Sequence, residues 1–256
     1  MNKKNKVQTK TFILHYCLLN QKSCEMSGDT NPTNDGGSVE QQENMPRLID
    51  ISREYVRTYM KQYDSSHDYS HIERVLSLAK HIEASETRRA NGSRLYDSDI
   101  VILASLLHDV GDRKYLKPGQ DGTRAVFDFL SDNGADDQTA AKVQEIINHV
   151  SYSSEIKNPS AVTRAITRHA ELAVVQDADR LDALGAVGIG RCFAFSASRI
   201  NHGALENAID HFADKLVHLK DMMKTDTGRE MAVERTRRIQ IFREWWVEES
   251  TAKEDE

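Results

Sequence analysis

The sequence predicts an all-α fold, a single helical bundle behind a disordered N-terminal tail, and three features of its 256 residues carry that expectation. From Pro46 onward apolar residues recur at three- and four-residue spacing, the pattern of helices that bury one face. The segment IVILASLL, Ile100 to Leu107, is apolar almost throughout, too dense for an exposed helix, and therefore central. Nowhere do polar and apolar residues alternate for long enough to make a sheet.

Taken in order, the first 24 residues hold five lysines and no acid around a short apolar run from Thr11 to Leu19. A secretory core would be longer and end in a small-residue cleavage site, and an organelle transit peptide would carry arginine, which is absent before Arg47. The tail is expected to be disordered, with organelle targeting as the alternative. Residues 26–45, rich in Gly, Asn, Ser, Asp and Gln, cannot offset the entropy of ordering and read as a linker, so 1–45 is tail and linker. Pro46 favours a first turn and opens a helix over Arg47–Tyr63. Ile72, Val75, Leu76, Ala79 and Ile82 stripe the next helix, and Asp97 is a cap for the buried one. Further runs start near Gly122 (Ala125, Val126, Phe129, Leu130), near Asp136 (Val143, Ile146, Ile147, Val150) and near Ala161 (Ala165, Ile166, Leu172, Val175). The clearest stripe is Leu205, Ala208, Ile209, Phe212, Leu216, Leu219 and Met223, before a charged segment that ends in Phe242, Trp245 and Trp246. One domain over residues 46–249 accounts for the pattern, and 250–256 is a short tail.

Composition narrows the function. Thirty-four basic against forty acidic side chains give a net charge of -6, which argues against a coat for nucleic acid or an anionic membrane but leaves room for a basic pocket that takes a small anion. No stretch approaches the roughly 18 apolar residues of a membrane span. Cys17, Cys24 and Cys192 are an odd count without CxxC spacing, so neither a disulfide framework nor a zinc ribbon is indicated and a reducing, cytoplasmic setting is expected. Homo-oligomers are compatible with all of this.

Chemistry-bearing residues gather at helix ends. His108 and Asp109 follow the buried segment directly, where a charge would be costly unless paired, coordinated or solvated. Upstream, His67 and His71 lie four residues apart in HDYSHIERV, with His71 beside an apolar stripe, where a ligand and a satisfied core histidine are both readings. Downstream, VVQDADRLDAL carries Asp177, Asp179 and Asp182; in a helix Asp179 and Asp182 share a face, to meet a cation or to pair with Arg180.

The order His, contiguous His-Asp, distant Asp resembles the HD superfamily of metal-dependent phosphohydrolases, whose all-helical core binds a divalent ion through such a set. The neighbours HIERV, LLHDVGDRKY, INHVSYS, QDADRLDALGAVGIGRCF and HFADKLVHLKDMMKTDTGREMA are similar to those of small bacterial HD pyrophosphohydrolases acting on nucleoside triphosphates, over about residues 50–249. The resemblance implies an HD helical bundle with His71, His108, Asp109 and Asp179 as ligands, Asp179 being preferred over Asp177 because ADRLDA matches the ADxL form around the last ligand. It implies one divalent ion, with Mn, Mg, Fe, Co, Ni and Zn all suited to imidazole and carboxylate. Asp112, three residues past Asp109, is then the general base, with pairing to Arg113 as the alternative. Lys114 in the shared DRKY stretch is expected to meet phosphate charge; His149, His211 and Lys215 are expected at the substrate, with His218 on the same flank. Arg74 and Arg180 are expected to pair behind the ligands. The substrate is then a nucleotide, cleaved to monophosphate and pyrophosphate; a 5'-nucleotidase, a phosphodiesterase or a non-catalytic nucleotide sensor are the alternatives. GRCFAFSASRI is read as lining the pocket or packing on another subunit.

Overall fold

In the computed structural model residues 37–62, 68–111, 122–199 and 205–251 are described. The expected tail up to residue 36, His67, Asp112, Lys114 and the last five residues lie outside them. The chain divides into units Met1–Ser38 and Val39–Glu256, and all that follows concerns the second, apart from the first two residues of its leading helix.

Side-chain oxygens set most helix starts. Asp68 accepts from the His71 amide and begins α2 (Tyr69–Arg89); Asp97 accepts from the Asp99 and Ile100 amides and begins α3 (Ser98–Leu107). Asp136 likewise starts α5 (Asp137–Val150), Ser151 starts α6 (Tyr152–Lys157), Asn158 starts α7 (Pro159–Arg168) and Thr225 starts α11 (Asp226–Ser250). Each satisfies amides that the first turn leaves without a helical partner. The rest are α1 (Gly37–Tyr59), α4 (Ala125–Asp132), α8 (Glu171–Asp182), α9 (Gly185–Arg199) and α10 (Glu206–Asp214), with 3-10 turns at Met60–Gln62 and Leu216–Met222. Among the described residues there is no β-strand, so the fold is all-α as the periodicity implied. Nor is any helix among them long and apolar enough to cross a membrane.

Three expectations are corrected. The first helix begins at Gly37, not after Pro46, which sits exposed inside it and costs it one ladder bond. The run placed near Ala161 is two helices, α7 and α8, broken where His169 leaves helical geometry at φ -134 and ψ 90. The stripe from Leu205 to Met223 is also broken, at Lys215 (φ -134, ψ -54), and resumes as a 3-10 segment whose three-residue turn keeps Leu216 and Leu219 inward. Leu205 is exposed. In each case both pieces bury residues in one continuous core, so the apolar spacing runs on through the break.

The core has two clusters. One gathers α1, α4, α5 and α7; the other gathers α9, α10, the 3-10 segment and α11. Helices α2, α3 and α8 stand between and feed both: Ile72, Ile100 and Val175 enter the first, Val75, Val101 and Val174 the second. As IVILASLL predicts, α3 is buried nearly all round.

Glu171, 5% exposed at the start of α8, ties that helix to the cap of α3 and to α5 by accepting from the Asp97 amide at 3.0 Å and Lys142 Nζ at 2.9 Å. Burial raises its pKa, but the bonds from Lys142 and the backbone outweigh that and hold it below its ordinary 4.5. A depressed carboxyl contributes stability above its unfolded value and loses it as pH falls through the folded one. Glu171→Gln is therefore expected to cost stability at neutral pH and progressively less below the ordinary carboxylate range, checked by urea midpoints of both proteins across that interval.

Candidate metal centre

The site assembles from the three central helices. The Asp68 cap places His71 in the first turn of α2; α3 ends with His108, still helical at φ -60 and ψ -28, and hands on to Asp109; Asp179 and Asp182 project from one face of α8. His71 Nε2 and His108 Nε2 are 3.2 Å apart. Asp109 Oδ2 lies 3.5 Å from the first and 3.6 Å from the second, and Asp179 Oδ1 lies 3.5 and 3.8 Å from them. Ligands about 2.1 Å from one ion stand about 3.0 Å apart at right angles and about 3.4 Å apart at tetrahedral angles, so these spacings, a few tenths of an ångström wider at most, are compatible with one shared cation.

Tautomers support the same view. His108 Nδ1 lies 2.8 Å from the Ser105 carbonyl, which can only accept, so Nδ1 carries the hydrogen. His71 Nδ1 lies 2.8 Å from Asp182 Oδ2 and donates likewise. Each neutral ring then turns a lone pair on Nε2 toward the other, an arrangement that calls for positive charge between them. Burial opposes charge on His71, yet Asp109 and Asp182 more than compensate and raise its pKa, so the surroundings favour a cation there. The donor set fits a divalent ion: two imidazole nitrogens and two carboxylates.

Asp182, 1% exposed, holds the back of the site. Besides His71 it accepts from Arg74 Nε at 2.7 Å, Arg74 Nη2 at 3.0 Å and Arg191 Nη1 at 3.0 Å. Burial alone would raise its pKa, but these partners hold it well below the usual carboxylate range. Arg74 thus pairs with Asp182, the carboxylate behind His71. Arg180 does not join it: it reaches Glu155 Oε2 at 2.6 Å and the Met222 carbonyl at 2.9 Å. Asp177 also points away. Its oxygens accept from the Lys224 amide at 2.9 Å, the Thr225 amide at 2.8 Å and the Thr225 hydroxyl at 2.7 Å, pinning the start of α11 to α8.

The cluster opens on a cavity of about 1110 Å³, with His108, Asp109 and Asp179 on its wall. His211 and Lys215 line the same cavity, Lys215 Nζ standing 4.8 Å from the centre of the Tyr152 ring. His149 stands apart: Asn148 and Val150 reach the wall, while its own Nδ1 donates to the Glu145 carbonyl at 2.8 Å. His218 is exposed, because the break at Lys215 turns it off the flank of His211. Gly111 and Gly122 meet on the wall, so the stretch carrying Asp112 and Lys114 leaves and rejoins the described chain there. From the stretch GRCFAFSASRI, α9 brings Arg191, Cys192 and Phe195 to the wall. GRCFAFSASRI therefore supplies pocket lining, and its mixture of apolar and small residues was the readable signal.

A family model of the HD domain matches residues 68–184, from the cap of α2 to just past α8. Similarity extends further in the uncharacterized protein YpgQ of Bacillus subtilis, 37% identical over 188 residues that cover 72% of this chain and 84% of YpgQ. The chain belongs to the HD superfamily. Its HD fold is shared by the crystal structure of YpgQ in complex with ADP, at 32% identity and a TM-score of 0.60 over 82% of this chain and 98% of that one. An HD-superfamily hydrolase from Bacillus thuringiensis matches at 28% identity and a TM-score of 0.60, over 82% of this chain and 100% of the other. As an HD phosphohydrolase, this chain carries its His-His-Asp cluster (His71, His108, Asp179) on helices that the family model spans.

Proposed function

We propose that this HD protein is a divalent-metal-dependent phosphohydrolase that cleaves nucleoside or deoxynucleoside triphosphates to monophosphate and pyrophosphate. The observation that carries the proposal is the convergence of two oriented Nε2 atoms and two carboxylates at the wall that His108, Asp109 and Asp179 give to a cavity large enough for a nucleotide. The ADP held by the similar YpgQ supports a nucleotide as occupant.

His71, His108, Asp109 and Asp179 would hold the ion, manganese being the one to test first. When bound, such an ion acidifies a water and draws charge from a phosphate oxygen. Everything else falls to the chain. The Ser105 carbonyl and Asp182 keep both imidazoles in one tautomer. Asp112 accepts the proton of the attacking water and returns it to the leaving group. Lys114, His211 and Lys215 meet the negative oxygens of the polyphosphate, and Tyr152 with Leu216 offers the nucleoside an apolar wall.

The test is metal-depleted protein reloaded with manganese and given deoxynucleoside triphosphates, with pyrophosphate and inorganic phosphate measured separately. Pyrophosphate release with a metal requirement is expected. Inorganic phosphate from monophosphates would replace this reading with a nucleotidase. No turnover, with a melting temperature that climbs on adding metal, would replace it with a sensor.

A further inference from the structure

Helix α4 begins without a cap of its own: Arg124, just before it, makes no side-chain bond to the first turn. The cap comes from α5 instead. Gln144, 6% exposed, accepts through Oε1 from the Val126 and Phe127 amides, each at 3.0 Å. Only the carbonyl end of an amide can take two N–H groups, so Nε2 is the end left over, and it can only donate. It donates to Asn148 Oδ1 at 2.9 Å, one turn further along α5. The same logic then passes to Asn148. Its oxygen is held by Gln144, so its Nδ2, with two hydrogens, is the free end, and no described residue accepts from it. Asn148 is exposed and lines the cavity that Asp109, Gly111 and Gly122 also line, whereas Gln144 does not reach that wall.

We infer that Asn148 is a phosphate-binding residue of this cavity, its Nδ2 donating to an oxygen of the polyphosphate chain. The inference rests on the proposed function for the identity of the substrate. An asparagine ordinarily turns whichever end suits its neighbour, but here the polarity is imposed from the start of α4 through Gln144, and only a donor is on offer. A ribose hydroxyl or a base edge mixes donors and acceptors and asks for no fixed polarity. The oxygens of a polyphosphate accept throughout, which is the ligand a locked donor matches. Being neutral, the amide serves an anion without repelling the divalent ion proposed for the same wall.

Reversing the lock from behind the wall tests this. As a carboxylate, Gln144→Glu keeps an oxygen for the two α4 amides, but its other oxygen has no hydrogen, so Asn148 must turn over, give Nδ2 to it and show Oδ1 to the cavity. Binding of inorganic tripolyphosphate to metal-free, full-length protein is measured by calorimetry, with KM and kcat for a deoxynucleoside triphosphate and manganese alongside. Asn148→Ala is expected to weaken tripolyphosphate about tenfold and to raise KM similarly, since bonds to charged groups are among the stronger ones. Gln144→Glu is expected to do as much, and adding Asn148→Ala to it to change affinity by less than about twofold, because the donor is already lost. A loss under about twofold in Asn148→Ala, or losses that multiply in the double variant, would overturn the assignment and leave the proposed function standing. An unaltered protein that binds no tripolyphosphate would overturn the assignment whatever its turnover. Binding that depends on Asn148 in a protein that releases no pyrophosphate would remove the proposed function and keep the donor. Should Gln144→Glu not fold, the side-chain amide NMR signals of Asn148 in the unaltered protein decide: they shift on adding tripolyphosphate if the assignment holds and stay put if it does not.

Discussion

Asp179→Ala is expected to abolish ion binding with the fold intact, and Asp177→Ala, two residues away on the same helix, to do the reverse. Asp179 Oδ1 contributes one of the four converging atoms, and groups merely behind a metal ligand already cost about 10- to 100-fold in affinity when lost. Manganese affinity should fall by more than about 100-fold and turnover with it. Because Asp179 shares the site with Asp109, its removal relieves like-charge crowding, so the metal-free protein should melt no lower than the unaltered one. Asp177 is fully buried and accepts two backbone amides and a hydroxyl from the start of α11. Leaving those three donors unmet should cost at least about 3 kcal/mol, from about 1–3 for each buried group stranded. Chemical unfolding and manganese calorimetry on both variants check the pair; a normal unfolding curve with lost manganese in Asp177→Ala would transfer the ligand role to it.

Gly122→Ala should leave ion binding largely in place and still cut kcat by about 100-fold, since misplacing a catalytic group by about 1 Å can cost that much. A methyl on Gly122 would drive into the Gly111 carbonyl oxygen and stand 2.9 Å from the Gly111 Cα. Gly111 itself sits at φ +77, where other residues are strained, and donates its amide to the Tyr59 hydroxyl at 3.2 Å, so it has little freedom to give way. The two ends joined by the stretch that carries Asp112 and Lys114 would be forced apart, while His108 and Asp109 stay fixed at the end of α3. The stability cost should be about 1–3 kcal/mol, as for other overpacked contacts. Single-turnover rates beside manganese affinity check this, and an unchanged rate would place the proton transfer elsewhere.

Much of this architecture can be read from single residues. Asp97 and Asp136 announce the helices they cap, the density of IVILASLL places α3 at the centre, and the apolar stripes name residues that are buried. The likeness of HIERV, LLHDVGDRKY and QDADRLDALG to HD proteins brings out His71, His108, Asp109 and Asp179, which the fold gathers within a few ångströms. Spacing could not show where helices break, since the chain turns at His169 and Lys215 without interrupting the succession of apolar residues. Nor could it show the bond between His71 and Asp182, 111 positions apart, or that Arg180 would choose Glu155 over its acidic neighbours. Such pairings depend on how helices dock. Arg191 lies in the stretch GRCFAFSASRI read as pocket lining or a subunit contact, but its bond to Asp182 depends on how α9 packs against α8.

Because α2, α3 and α8 serve as a party wall between two cores, neither half of the domain can loosen without shifting a side chain of the proposed ligand set. The centre is thus buttressed from both flanks and carried on the parts of the chain with least room to drift. Adaptation to a different substrate is correspondingly easier in the outer helices, such as α9 and α10, which shape the chamber without carrying the proposed ligands.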